Sequence, residues 1–582
     1  LILRRGGGKS IFAAGFNPKE LLMQSVSKAI GVVLLLLSVS RSEQAKGYVY
    51  VDANRNGKMD FGERGVPGVR VSNGREVVQT NHRGQYWIEV KDETILFITK
   101  PPQYDVPVNA QNLPQFYYIH YPQGTPNPVA FKYPVIQPTG PLPDYVNFPL
   151  WNEPDGDRCY KRSVVDGKGL RLRKGKWMRE KLDFRRDKED RSRFDALAFA
   201  DPQPDTDEEI DFVREDVVSE LVGTDARFAM VAGDVINDHL DLFPHENEVM
   251  GKIGVPIWNV PGNHDMNYDA LDDHYATETY KSIFGPTYFS FEYGDVHFVG
   301  LDNVKHTGRG GYIGEIGKDQ LEWLKNDLKY VPRHKLIVIY CHIPLKTDAG
   351  TSAGINTADL QDLFALLQEF KNIYSFSGHD TSNSWQMYLG PEHGWFGPRP
   401  FHHQVLAEVR GWNGPRDERG VRAADMADGN PNGYYVMSFD GAEYSARFKA
   451  ANHGSEHAMR IVLDPPLASD GQPYLNRGKV NAPTKVVVNV FDGGVKNQVE
   501  MSLDGGPYRA MDYTVRNDPY METVYARFQG TADSYARPEP SSHLWETLLP
   551  GNLTIGTHIA QVRSEDMYGR KTSSNLVFKI LP

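Results

Sequence analysis

Five short stretches of this chain hold side chains able to do chemistry, and each follows a strand-like apolar run. They are "ADPQ" (200–203), "GDVIND" (233–238), "GNHD" (262–265), "CHIP" (341–344) and "SGHD" (377–380). Singly they say little, because Gly-Asp is a common turn and a lone histidine is more often just a satisfied polar residue. Together they set Asp201, Gln203, Asp234, Asn263, His342 and His379 at the carboxyl ends of successive strands. That is where open α/β sheets place their ligand sites. Carboxylate and amide oxygens combined with imidazoles suit Mn, Fe or Zn. A pair of such metals holds a phosphoryl group and activates a water for in-line attack.

Positioning these side chains takes an α/β scaffold, and residues 194–400 have that texture. "FDALAFA", "RFAMVAG", "VPIWNV", "VHFVGLD", "KLIVIYC" and "NIYSFSG" are short apolar runs, with helical stretches such as 207–222 and 359–370 between them. Such runs predict a sheet buried on both faces. The flanks read differently. Residues 47–150 alternate short strands with Gly and Pro turns and predict a small β-sandwich followed by a proline-rich connector. Residues 151–193 end in "RRDKEDRSR" and read as a solvated linker. Residues 401–582, with "KVVVNVFDGG" and "THIAQVRSEDMYG", predict a second β-rich domain. This division agrees with the three or four domains that about 150 residues per domain implies for the chain.

Bulk properties narrow the function classes. A net charge of −11 gives no reason to expect binding to nucleic acid or to an anionic membrane. Two cysteines, Cys159 and Cys341, make no disulfide framework. From Met23 onward, Lys28 followed by the apolar run 29–39 and then small polar residues reads as a secretory signal peptide, too short to span a membrane. Residues 1–46 are therefore expected to be leader and signal peptide. The mature chain is expected to be exported, periplasmic or extracellular, from a bacterium, with no membrane span. No cysteine follows the apolar run to take a lipid anchor.

One further motif lies in the N-terminal β-region. "DANRNGKMDFGE" (52–63) fits the spacing of a calcium loop, with oxygens from Asp52, Asn54, Asn56, Asp60 and Glu63, the carbonyl of Lys58, and Gly57 at the sharp turn. Strands flank it instead of helices, so it is not an EF-hand. It resembles prealbumin-like repeat modules of bacterial surface proteins.

The five motifs in this order resemble those of the calcineurin-like metallophosphoesterases, with D-x-H, GD-x-x-D, GNH[DE], a late histidine and G-H-x-H. With "NPNGYYVMSFDG" and "HLWETLLP" near the C-terminus, the chain resembles three-part exported bacterial members of that family. The resemblance implies a central metallophosphoesterase β-sandwich flanked by helices, between an N-terminal β-sandwich and a C-terminal β-rich domain. It implies Asp201, Asp234, Asn263, His342 and His379 as metal ligands, with Asp234 bridging two metals. It also implies that His264 stands over the phosphate and assists the leaving group, with Asp265 orienting its imidazole, while a metal-activated water attacks.

Two departures fall on one of the two metals. Gln203 stands where the family has the histidine of D-x-H, and Thr381 where it has the last histidine of G-H-x-H. A glutamine oxygen still suits a hard cation, whereas a neutral threonine hydroxyl is a poor substitute for imidazole. Asp380 is a candidate replacement ligand, His402 or His403 are others, and water is a third; with water in the slot, that metal is labile. The function expected is metal-dependent hydrolysis of a phosphate mono- or diester in a phosphorylated small molecule or macromolecule. The alternative is a non-catalytic or weakly active envelope binding protein with a degenerate metal slot.

Overall fold

The computed structural model describes residues 42–126, 130–152, 192–467, 476–479 and 483–582. Residues 1–41 of the expected leader and signal peptide and 153–191 of the expected linker lie outside the described residues; at the edges of those two segments the chain is already in strands Glu43–Val51, Phe148–Asn152 and Arg193–Phe199. No described helix is long and apolar enough to cross a membrane.

The apolar runs of the central region form two packed sheets. One has five strands: β1 (Arg193–Phe199), β2 (Ala229–Val231), β3 (Ile257–Asn259), and, returning from far downstream, β10 (Gly433–Asp440) and β11 (Glu443–Ala450). Its order is β3-β2-β1-β10-β11, with β1 to β3 parallel and β10 antiparallel to β1. The other has six: β4 (Phe289–Tyr293), β5 (Val296–Gly300), β6 (Leu336–Tyr340), β7 (Asn372–Ser377), β8 (Trp385–Leu389) and β9 (Phe401–Val405). Its order is β4-β5-β6-β7-β9-β8, with β5, β6, β7 and β9 parallel. Strands such as "LIVIY" are buried at every residue, which is why they read as unbroken apolar runs. Between the sheets, Trp258, Phe291 and Phe298 stack with ring centroids 4.3 and 4.8 Å apart. Helices cover the outer faces with residues such as Val213, Val217 and Phe243 on one side and Trp323, Leu363 and Leu367 on the other. The architecture is the sandwich flanked by helices that the family resemblance implies, with two sheets where the apolar runs alone predict one. The segment after residue 400 completes both sheets.

Before the sandwich, residues 43–152 form two four-stranded sheets whose apolar side chains run on into the central core. A charged contact joins the two parts. Buried Arg70 lies 2.5 Å from Glu292 and 3.2 Å from Asp327, and Lys335 lies 2.8 Å from Glu292. After the sandwich, sheets of four and five strands enclose a separate core around Val486, Val488, Trp545, Val562 and Phe578.

One buried acid has no partner among the described residues. Helix Phe243–Met250 turns Phe243, Val249 and Met250 inward, and Glu246 goes in with them. Among the described residues neither Glu246 carboxyl oxygen has a hydrogen-bond partner. Burial pushes the group up to about 8 from its ordinary 4.5. An acid raised on folding contributes its full stability below its unfolded value and loses it as pH climbs through the folded one. Glu246→Met is therefore expected to match wild type near pH 4.5 and to exceed it increasingly toward pH 8, by on the order of a few kcal/mol. Urea unfolding at the two pH values checks this, and a difference that does not grow with pH would overturn it.

Candidate metal centre

Every motif residue sits in the loop that leaves the carboxyl end of a parallel strand. Asp201 and Gln203 follow β1, Asp234 follows β2, Asn263 follows β3, His342 follows β6 and His379 follows β7. The turns are sharp enough to force non-glycine residues into left-handed backbone: φ is 49° at Asp201, 44° at Gln203, 48° at Asp234, 62° at Asp238 and 75° at His379. Such strain persists where the surroundings over-determine it, and it gathers at functional sites. The motif glycines let these turns touch. A Cβ on Gly262 would lie 2.1 Å from the amide nitrogen and from Oδ1 of Asp234, and one on Gly378 would lie 2.3 Å from Asp201 Oδ2.

Four ligand atoms converge. His342 Nε2 lies 2.9 Å from Asn263 Oδ1, 3.1 Å from His379 Nδ1 and 3.2 Å from Asp234 Oδ2. The far nitrogen of each ring is already used: His342 Nδ1 donates to the Ala232 carbonyl at 2.9 Å, and His379 Nε2 donates to the Gly354 carbonyl at 2.8 Å. With those protons placed, two imidazole lone pairs, an amide oxygen and a carboxylate oxygen face one another in a buried space. A positive charge among them, whether a proton on His342 Nε2 or a metal cation, removes the repulsion between these acceptors. The carboxylate favours positive charge at this point, which a proton supplies when no metal ion does. Burial opposes charge on His342, but Asp234 outweighs it and lifts the ring to about 9. Burial and the neighbouring His342 depress His379 to about 4. The donor set, one carboxylate, one amide and two imidazoles, fits a first-row divalent cation. Asp234, His342 and His379 form the one cluster of three metal-capable side chains among the described residues.

The second expected slot is built differently. Both Asp201 oxygens accept the His379 amide, at 2.9 and 3.1 Å. Gln203 Oε1 accepts a hydrogen bond from the Arg410 guanidinium, and Gln203 Nε2 donates to Asn237 Oδ1 at 3.3 Å. The candidate replacement side chains are engaged in other hydrogen bonds. Asp380 caps its own turn, accepting from the amides of Ser382 and Asn383 and from Trp385 Nε1 at 3.0 Å. His402 is held between Tyr444 and Gln386, and His403 between Ser375 and the amide of Leu345. These two are strand residues of β9, with rings buried in the six-stranded sheet.

His264 is close by and reachable, with its side chain 29% exposed. Its amide donates to Asp234 Oδ1 at 2.8 Å, and its Nδ1 bonds Asp238 Oδ1 at 2.8 Å. The expectation that Asp265 orients this ring is thus corrected. The Asp265 carboxylate is buried and accepts from the amides of Gly262, Val235 and Ile236, which ties the "GNHD" loop to the "GDVIND" loop. Burial works against a charge on His264, and Asp238 with Asp234 outweigh it, so the ring titrates above its ordinary value.

Two site residues were not among those the motifs singled out. Asp238 ends "GDVIND", and only its place at a strand end hints at a role. Arg410 follows β9, so the same strand-end logic reaches it once "FHHQV" is read as a strand of the central sheet. The calcium-like loop lies elsewhere and closes on itself. Asp52 accepts from the amides of Asn56 and Gly57, Asp60 from the side chains of Asn54 and Asn56, and Glu63 from the amides of Ala53 and Asp60.

Comparison with known proteins finds three successive family models along the chain. The N-terminal model of calcineurin-like phosphoesterase matches residues 53–134, the calcineurin-like phosphoesterase model matches 196–382, and its C-terminal model matches 410–571. No curated protein matches the chain. Among solved structures, a purple acid phosphatase isolated from yellow lupin (Lupinus luteus) seeds is similar at 14% identity and a TM-score of 0.34. The likeness covers 44% of this chain and 52% of that one, so the chain spans about half the length of that protein.

Proposed function

We propose that this chain, which belongs to the calcineurin-like phosphoesterases and carries their N-terminal and C-terminal domains, hydrolyses phosphate mono- or diesters at the Asp234–Asn263–His342–His379 centre. The observation that carries this reading is the convergence of four acceptor atoms beside a partly exposed imidazole. A divalent cation held by these four residues supplies Lewis acidity toward a phosphoryl group and toward water. The chain supplies the rest. Ala232 and Gly354 hold the two imidazoles in the tautomers that turn their free nitrogens inward. Asp238, on Nδ1 of His264, favours the doubly protonated ring, whose Nε2–H is free for the leaving oxygen. The sequence-read signal peptide would place this hydrolysis in the periplasm or outside the cell.

The test is hydrolysis of aryl and alkyl phosphate mono- and diesters with Mn, Fe or Zn added. Turnover of none of them by the wild-type protein would sink the reading. His264→Ala is expected to slow alkyl esters by about 10²–10⁴-fold, the usual range for a lost general acid. Nitrophenyl esters, whose leaving group needs no proton, should slow far less. Asp238→Asn should show the same selectivity, with a loss of about 10-fold or more. Equal losses on both ester types would remove the proton-donor role.

A further inference from the structure

The residues at the second expected slot do not fit a divalent cation. Both family imidazoles are missing from it, and the Gln203 amide is bonded at both ends, its oxygen to a guanidinium. A permanent positive charge already stands there. The segment after β9 runs alongside the "ADPQ" turn, with the Val409 amide donating to Ala200 O at 2.8 Å and the Arg410 amide to Asp201 O at 3.2 Å. From that backbone the Arg410 side chain reaches Gln203 through Nη1 and bonds Glu408 through Nε at 2.5 Å. Its guanidinium lies over the Trp412 ring, 4.0 Å from the centroid. Arg410 keeps 14% of its side chain exposed, whereas its partner Glu408 is buried at 2%. The remaining amino group, Nη2, has no protein partner among the described residues. A guanidinium cannot be discharged in a protein, and on Gln203 Oε1 it occupies the acceptor that a divalent ion would need. Its planar fork matches phosphate oxygens.

We propose that Arg410 takes the place of the second metal: the centre works with one divalent cation, and Arg410 binds a non-bridging oxygen of the substrate phosphoryl group. This rests on the hydrolase reading above and adds to it the charge that the altered slot lacks. Glu408 and Trp412 fix the guanidinium plane, and Gln203 serves as its hydrogen-bond acceptor where the family has a histidine metal ligand.

The experiment uses the full chain and reads binding apart from turnover. Wild type, Arg410→Ala and Arg410→Gln are titrated with Mn²⁺ alone, then each loaded protein with inorganic phosphate, by calorimetry. Expected are one equivalent of Mn²⁺ in all three proteins and phosphate affinity about 10- to 100-fold weaker in both variants, the cost of a lost charged hydrogen-bond pair. Two tight equivalents of Mn²⁺ in the wild type, or unchanged phosphate affinity in the variants, would overturn the proposal. Should Arg410→Ala fail to fold, as seen in a thermal melt, Arg410→Gln carries the test, since it keeps a hydrogen-bonding side chain without the charge. Failure of the hydrolase reading looks different: wild type would bind phosphate through Arg410 and turn over no ester.

Discussion

Asp234→Asn is expected to cost about 10³-fold or more in kcat/KM and to strip the centre of its metal, roughly 4 kcal/mol of transition-state stabilisation. Asp234 is the only anion among the four converging ligands. It is 2% exposed, one oxygen faces His342 Nε2 at 3.2 Å, and the other accepts the His264 amide at 2.8 Å. Asparagine keeps the shape and loses the charge. A cation would then be held by three neutral donors and a second amide in a buried space, where its own desolvation is uncompensated. If the amide rotated to keep its oxygen on the metal, its NH₂ would face the His264 amide, donor against donor. The His264 loop would shift, and the proton donor with it. Metal content after gel filtration and kcat/KM with saturating Mn²⁺ are the readouts. A variant that keeps a full equivalent of metal and stays within tenfold of wild type would remove Asp234 from its central place.

The second large effect falls on folding. Asp265→Ala is expected to destabilise the chain by about 3–6 kcal/mol, because it strands three buried backbone amides at about 1–3 kcal/mol each, less what relaxation recovers. Those amides belong to Gly262, Val235 and Ile236, at 2.8, 3.1 and 3.2 Å, so a single carboxylate holds the "GNHD" and "GDVIND" loops together. Asp265→Asn should lie between, since one amide oxygen replaces two carboxylate oxygens. Asp238→Asn should leave the unfolding midpoint nearly unchanged, since Asp238 keeps 47% of its side chain exposed. The contrast separates the two acids: one acts on stability, the other on the proton held by His264. Urea unfolding of all three variants measures it. An Asp265→Ala variant that loses rate while keeping its midpoint would return Asp265 to the imidazole.

These two acids also show how far local sequence can be read. "GNHD" and "GDVIND" mark the loops, and strand-end placement marks Asp234, Asn263, His342 and His379, because a parallel sheet delivers all its carboxyl ends to one edge. Which carboxylate meets the His264 ring was not legible. Asp265 is adjacent in sequence, but its side chain points into the core. Asp238 is 26 residues away and is turned onto the ring by a backbone with φ of 62°. The departures at Gln203 and Thr381 were visible as departures, yet their consequence was not. Arg410 is 207 residues from Gln203, in a stretch whose composition reads as the start of another domain.

The sequence by itself marked the fold class, the order of the parts and the four side chains that converge at the candidate centre. Each of these is written in short-range signals: apolar runs buried on both faces, turn residues at their ends, and side chains of fixed chemistry at fixed offsets. Tertiary structure alone decided how the sheets close, through β9, β10 and β11. It engaged the candidate replacements Asp380, His402 and His403 in other hydrogen bonds, and it brought a guanidinium to Gln203. The physical reason is that burial and hydrogen-bond satisfaction are settled between segments. Asp380 had its own turn amides to satisfy, and the two histidines had strand neighbours. Arg410 was carried in by the last parallel strand of the sheet.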